Sequence, residues 1–312
     1  MSQIEITVLK QGKISRHVLT CCIFTASDSY RDLKQYAGNF RRFLIQAERL
    51  PRFEIRVYTD DTAKDIVLEE TSNNPRVTVL HYNCPQFREG NGHVGMFGAL
   101  VRFLPMFEDL DTVWSSDIDI PDRYLDPKLY QAVSEQRFDF LISTYSCYEL
   151  KVWGTKNTIL AGRFISRIQF PRALLTLFLN RVSAGKFAEK IEEINVGNTR
   201  KPRSDFPYGL DEYFLNTYIY NALKTRDSKI LVQKDYLDTR IVFAAKLKEE
   251  KDVLIKYYYT PTHERFLKIK KILLKYLPLY LDTHPCYKDT LENLHKMKDS
   301  FIIIKTIRGS DL

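Results

Sequence analysis

The chain reads as an α/β protein, with a mostly parallel sheet flanked by helices and a helical C-terminal extension. Three observations carry that expectation. Short β-rich runs in the first half are separated by single helix-patterned segments, which favours crossover connections and parallel pairing. Polar clusters follow three of those runs, and the carboxyl ends of strands are where open α/β sheets bind ligands. The last third changes to lysine-rich segments with helical periodicity.

The elements follow in order. His17–Phe24 (HVLTCCIF) is a strand that breaks into Thr25-Ala26-Ser27-Asp28-Ser29. Tyr36–Leu50 carries Phe40, Phe43, Leu44 and Ala47 at helical spacing and is closed by Pro51. Phe53–Tyr58 alternates as a strand and ends in Thr59-Asp60-Asp61, and Arg76–His81 is the next strand. Val94–Phe107 reads as a helix that Pro105 ends or kinks. Thr112–Trp114 and Phe138–Ser143 are further strands. Arg172–Arg181 and Asp211–Leu223 are helices, the latter with an acidic first turn that suits the helix dipole. Gly197–Pro207 is a basic loop, and Ile255–Leu281 mixes lysine with Tyr, Leu and Ile.

Composition sets the class. The 312 residues are 44% hydrophobic and 13% aromatic, enough apolar surface to offset the entropy of ordering, so disorder is excluded. No run approaches about 18 consecutive apolar residues, and the first residues lack the apolar stretch of a secretory signal. A soluble, cytoplasmic protein is the expectation. A net charge of +8 implies an anionic partner and leaves nucleic acid, membrane surface and phosphorylated small molecule open. Five cysteines, without a C-x-x-C pair, point to a reduced setting rather than a zinc site.

The most informative stretch is Asp111–Ile120, DTVWSSDIDI. Asp117 and Asp119, one residue apart beyond a strand, can project toward one cation. Hard oxygen ligands beside phosphates suit Mn²⁺ or Mg²⁺. The plainer reading is a turn before Pro121.

Upstream lies Arg102-Phe103-Leu104-Pro105, and downstream come Ile159-Leu160-Ala161-Gly162-Arg163 and Tyr208-Gly209-Leu210-Asp211-Glu212-Tyr213-Phe214-Leu215-Asn216. In this order the motifs resemble those of the GT-A-fold (Rossmann-like), nucleotide-sugar-dependent glycosyltransferases. Their helix with Arg and Leu/Phe-Pro, their D-x-D strand end and their D-Q-x-x-L-N helix all have counterparts. Two departures stand out: Glu212 where Gln is usual, and Ser115-Ser116 where a bulky and an acidic residue are common.

The resemblance implies a nucleotide-sugar-binding catalytic domain over residues 1–225 and a helical extension over 226–312 packing on it. The implied activity is a metal-dependent hexosyl- or pentosyltransferase that moves a sugar from a UDP-sugar to a glycan hydroxyl. Asp117, Asp119 and His284 would hold the metal, with His263 the rival to His284. Asp117 would also serve the donor ribose. Arg102 would meet the donor phosphates or sugar. Thr25, Ala26, Ser27 and Asp60 would lie by base and ribose, and His93 by the donor pocket. Asp211 and Glu212 would be catalytic, Asp211 as general base or as stabiliser of a cationic sugar centre. Each also has a structural reading, as turn, cap, helix-start acid or surface histidine.

Lys268–Leu281 is amphipathic and basic. It either covers the core with a solvated lysine face or makes peripheral contact with an anionic membrane. Two other functions stay open. A nucleotidyltransferase or other phosphoryl-transfer enzyme would also pair acids with a metal, though Thr25–Arg31 lacks the Gly and Lys of a phosphate loop. A non-enzymatic nucleic-acid-binding protein would suit the charge, yet the basic residues are spread rather than clustered, and nucleic acid is not the expected partner.

Overall fold

β-branched and aromatic runs form the strands, and the segments between them form the helices. The computed structural model describes residues 4–25, 33–119, 125, 134–146, 153–197, 203–237, 253, 262–283, 285 and 287–312. The first half runs β1 (Glu5–Lys10), β2 (His17–Ile23), α1 (Leu33–Ala47), β3 (Glu54–Thr59), α2 (Lys64–Thr71) and β4 (Val77–Asn83). A small hairpin, β5 (Arg88–Glu89) and β6 (Gly92–His93), precedes α3 (Gly98–Val101) and β7 (Thr112–Ser116). Then come β8 (Phe140–Tyr145), β9 (Arg163–Ser166), α4 (Ala173–Ser183) and α5 (Ala188–Gly197). Helix α6 (Leu210–Phe214) continues through a π-turn, Leu215–Ile219, into α7 (Tyr220–Thr225). The chain closes with β10 (Lys229–Asp235), α8 (His263–Tyr276), α9 (Tyr287–Leu294) and β11 (Ile302–Arg308).

Nine strands form one mixed sheet in the order β1-β4-β3-β2-β7-β9-β8-β10-β11. Strands β4, β3, β2 and β7 run parallel to one another, as do β8 and β10. Strand β9 lies antiparallel between β7 and β8, and β1 and β11 are antiparallel edges. This α/β arrangement is compatible with a Rossmann-like fold. Leu19, Cys21 and Ile23 of β2 face one layer of core with Phe40 and Phe43 of α1 and Val67 of α2. The opposite face packs on Leu100 and Val101 of α3, Phe178 and Leu179 of α4, and Leu210 and Phe214 of α6.

Two expectations change. The C-terminal part is not a purely helical extension, because β10 and β11 join the central sheet. Ile230, Leu231 and Val232 are buried in succession, so both faces of β10 are covered, as an interior strand requires. The lysine-rich periodicity nearby reports only α8, which with α9 covers a third core cluster around Phe266, Leu273, Leu294 and Phe301. The stretch Val94–Phe107 is also not one helix. Pro105 lacks an amide proton, so α3 stops after one turn and a 3₁₀ segment, Leu104–Phe107, takes over.

Phe178 ties α4 to α6. Its fully buried ring lies 5.1 Å from that of Phe214 and 5.5 Å from those of Phe187 and Tyr218. Replacing Phe178 by Ala is expected to cost about 3–5 kcal/mol in urea unfolding. A loss under about 1 kcal/mol would show that this cluster does not anchor α6.

Candidate functional site

From β2 the chain moves through β3 and β4 on one side, then crosses back to place β7 on the other. The boundary between β2 and β7 is therefore a topological switch point, where open α/β sheets form a crevice beyond the strand ends. A cleft of about 700 Å³, open to solvent, lies there. Cys22 and Phe24 line it from the end of β2, and Asp117, Ile118 and Asp119 from the end of β7. Tyr36, Met96, Ala99, Arg102, Ala161, Tyr208, Gly209, Asp211 and Glu212 complete the wall.

Arg102 sits at the centre. It follows directly on α3, and its carbonyl accepts the Thr20 hydroxyl of β2 at 2.9 Å. Its side chain is only 7% exposed. Nη1 donates to Asp117 Oδ1, and Nη2 donates to Asp211 Oδ2 at 2.9 Å. One guanidinium thus joins the end of a strand to the first turn of α6. Burial works against its charge, but Asp117 and Asp211 outweigh that, and the guanidinium holds its proton more tightly than usual.

Two glycines let these groups meet. A Cβ at Gly162 would stand 2.2 Å from Asp117 Cγ, so only glycine leaves room for that carboxylate. Gly209, at φ 99°, takes the left-handed conformation that starts α6. Asn216, one turn beyond Glu212, holds the loop before β9. Its amide oxygen accepts the Ile159 N–H at 2.8 Å, while its NH₂ donates to the carbonyls of Ile159 at 2.9 Å and Glu212 at 2.8 Å.

The α6 acids are desolvated. Burial raises the Asp211 carboxyl, opposed by Arg102. Burial, and then the charge of Asp211, push Glu212 up to about 7. Glu212 accepts the Trp153 indole N–H at 3.2 Å and the Ala161 amide at 3.5 Å. Desolvation pushes the half-buried Cys22 thiol up to about 12.

Arg102, Asp117, Asp119, Asp211 and Glu212, expected from the sequence, meet in this one cleft. Asp60 and His93 meet elsewhere. The Cys84 N–H donates to His93 Nε2 at 3.0 Å, which leaves Nδ1 to donate to Asp60 Oδ2 at 3.2 Å. The Tyr82 hydroxyl donates to the same Asp60 oxygen at 3.2 Å, and the Thr62 amide to the other at 3.0 Å. Both side chains are buried, and this network occupies both carboxylate oxygens and both ring nitrogens. They brace the core behind the cleft rather than lining it. The Thr25 amide donates to the Thr62 hydroxyl at 2.9 Å, tying the end of β2 to that network. Ala26, Ser27 and His284 lie outside the described residues. His263 starts α8, exposed and beside Asp299 at 3.2 Å. Tyr36 and Tyr208 of the cleft wall, and Trp153 beside Glu212, carry no site role in the sequence reading. Tyr208 heads the motif that runs to Asn216, and Trp153 is one of two tryptophans, but neither signal names a cleft contact.

Two carboxylates, Asp117 and Asp119, share the cleft wall. A hard cation commonly takes one or two protein carboxylates, with phosphate oxygens and water completing its shell. The donor set fits that arrangement. Among the described residues no third His, Cys, Asp or Glu joins them. Compared with known proteins, the chain matches no family model and no curated sequence.

Removing the guanidinium would leave the buried Asp211 carboxylate without its cation, next to that of half-exposed Asp117. Arg102→Ala is expected to lose about 3–5 kcal/mol of stability, checked by denaturant unfolding. A variant as stable as the parent would mean that the clamp is not a structural element. For Glu212, the ordinary value is 4.5 and the folded value about 7, so the folded state holds an extra proton between them. Stability contributed by that proton is full below the lower value and lost as pH rises through the upper one. Between about pH 5 and pH 8 the parent should therefore lose more unfolding free energy than Glu212→Gln. Parallel pH profiles would refute the assignment.

Proposed function

We propose that this chain is a metal-dependent glycosyltransferase of GT-A type, moving a sugar from a nucleotide donor, a UDP-sugar, to a hydroxyl of a glycan. One observation carries the reading: Arg102 joins the Asp-x-Asp strand end to the acidic first turn of α6, inside a cleft at the switch point. Motifs far apart in the chain, noted for their order, converge there as one constellation.

In this reading Asp117 and Asp119 hold Mn²⁺ or Mg²⁺ against the donor diphosphate. Bound there, the cation would neutralise charge on the departing nucleoside diphosphate. Arg102 holds Asp117 in place through Nη1, so the site is set before substrate arrives. Asp211, shielded from water, presents a carboxylate to the sugar's developing positive charge. Glu212, with a folded value near neutrality, can take the proton of the acceptor hydroxyl and release it to solvent. Asp60 and His93 act at a distance, bracing the turn after β3 and the segment leading to α3.

Thermal-shift screening against UDP-sugars, with and without Mn²⁺, tests the class. A metal-dependent shift is expected in the parent and absent in Asp119→Ala. Asp211→Asn should keep the shift and lose about 10²–10⁴-fold in transfer rate. No shift with any sugar nucleotide would overturn the reading. Release of pyrophosphate instead of a nucleoside diphosphate would indicate nucleotidyl transfer.

A further inference from the structure

Helix α8 has two distinct faces. Phe266, Ile269, Ile272 and Leu273 are buried against α9 and the end of the chain. The opposite face carries Leu267, Lys271 and Lys275 at four-residue spacing, with Lys268 beside them. Leu267 is 44% exposed, and Leu279, in the 3₁₀ turn that extends the helix, is 59% exposed. No carboxylate pairs with Lys268, Lys271 or Lys275 among the described residues, although exposed Glu264 stands one turn before Lys268. On the flank, Lys270 Nζ donates to the Met297 carbonyl at 2.8 Å, which places exposed Lys296 and Lys298 next to this surface.

We propose that this face is a docking surface for an anionic lipid bilayer. The inner face already covers the core, so the outer one does not need exposed leucines for folding. Lysines interleaved with leucine suit a headgroup layer, where the cations meet lipid phosphate and carboxylate and the leucines enter the acyl boundary. A nucleic-acid surface would favour exposed aromatic platforms for base stacking; here the exposed apolar residues are leucines, and half-buried Tyr276 already lies under the Lys275 ammonium at 4.8 Å. The contact is peripheral, since no helix among the described residues is long and apolar enough to cross a membrane. It is independent of the glycosyltransferase reading.

Vesicle flotation of the full chain tests it, using phosphatidylcholine alone and with about one third phosphatidylserine. Binding is expected only to the anionic vesicles and should weaken as salt rises. Each lysine near the surface contributes about five-fold, so Lys268→Gln/Lys271→Gln/Lys275→Gln together should weaken partitioning roughly a hundred-fold. These side chains are exposed, and an unchanged unfolding temperature would confirm that the variant folds. Leu267→Ser/Leu279→Ser provides a second variant, expected to weaken binding while leaving the lysines in place. No flotation of the parent, equal flotation on neutral vesicles, or unchanged binding by both variants would overturn the proposal. So would tight single-stranded DNA binding through the same lysines without vesicle binding.

Discussion

The site depends on one buried interaction, the Arg102 guanidinium held between Asp117 and Asp211. Charges this far from water are costly unless paired, and here one cation serves two anions from distant parts of the chain. Its geometry locks the end of β7 to the start of α6. The rest of the cleft is arranged around it: Gly162 makes room for Asp117, and Gly209 turns the chain so that α6 starts with Asp211 facing inward.

The same desolvation sets the chemistry. Two carboxylates, Asp117 and Asp211, share one guanidinium, and Glu212 stands next to Asp211 at the start of α6. Glu212 accepts an indole N–H and an amide, but burial and the charge of Asp211 outweigh them, so its proton is held more firmly than in water. Burial thus acts on both neighbouring acids, while Arg102 opposes it at Asp211 and the charge of Asp211 adds to it at Glu212.

Packing holds these groups in place from two sides. The Phe178 ring of α4 packs on Phe214 of α6, and Asn216 fastens the helix to the loop before β9 through two hydrogen bonds to Ile159. Away from the cleft wall, the buried Asp60–His93–Tyr82 network fixes the turn after β3. That network shows how a polar residue at a strand end can serve the scaffold. Asp60 sits where a ligand contact was expected, but its oxygens are already satisfied within the protein.

Much was legible in the sequence alone. Local patterns are set by side-chain periodicity, so β2, β3, β7 and α1 appear directly in the order of apolar residues. The acidic pair after β7 and the acidic start of α6 are also local features, readable as motifs. Three things were not legible, each because it depends on residues far apart in sequence. Strands β10 and β11 become sheet strands by pairing with β8 and with each other, while nearby lysine periodicity points to helix. The burial of Asp60 and His93 depends on Tyr82, Thr62 and Cys84 closing around them. And the Arg102 clamp exists only because the sheet order brings β2, β7 and α6 to one point, which no local pattern encodes.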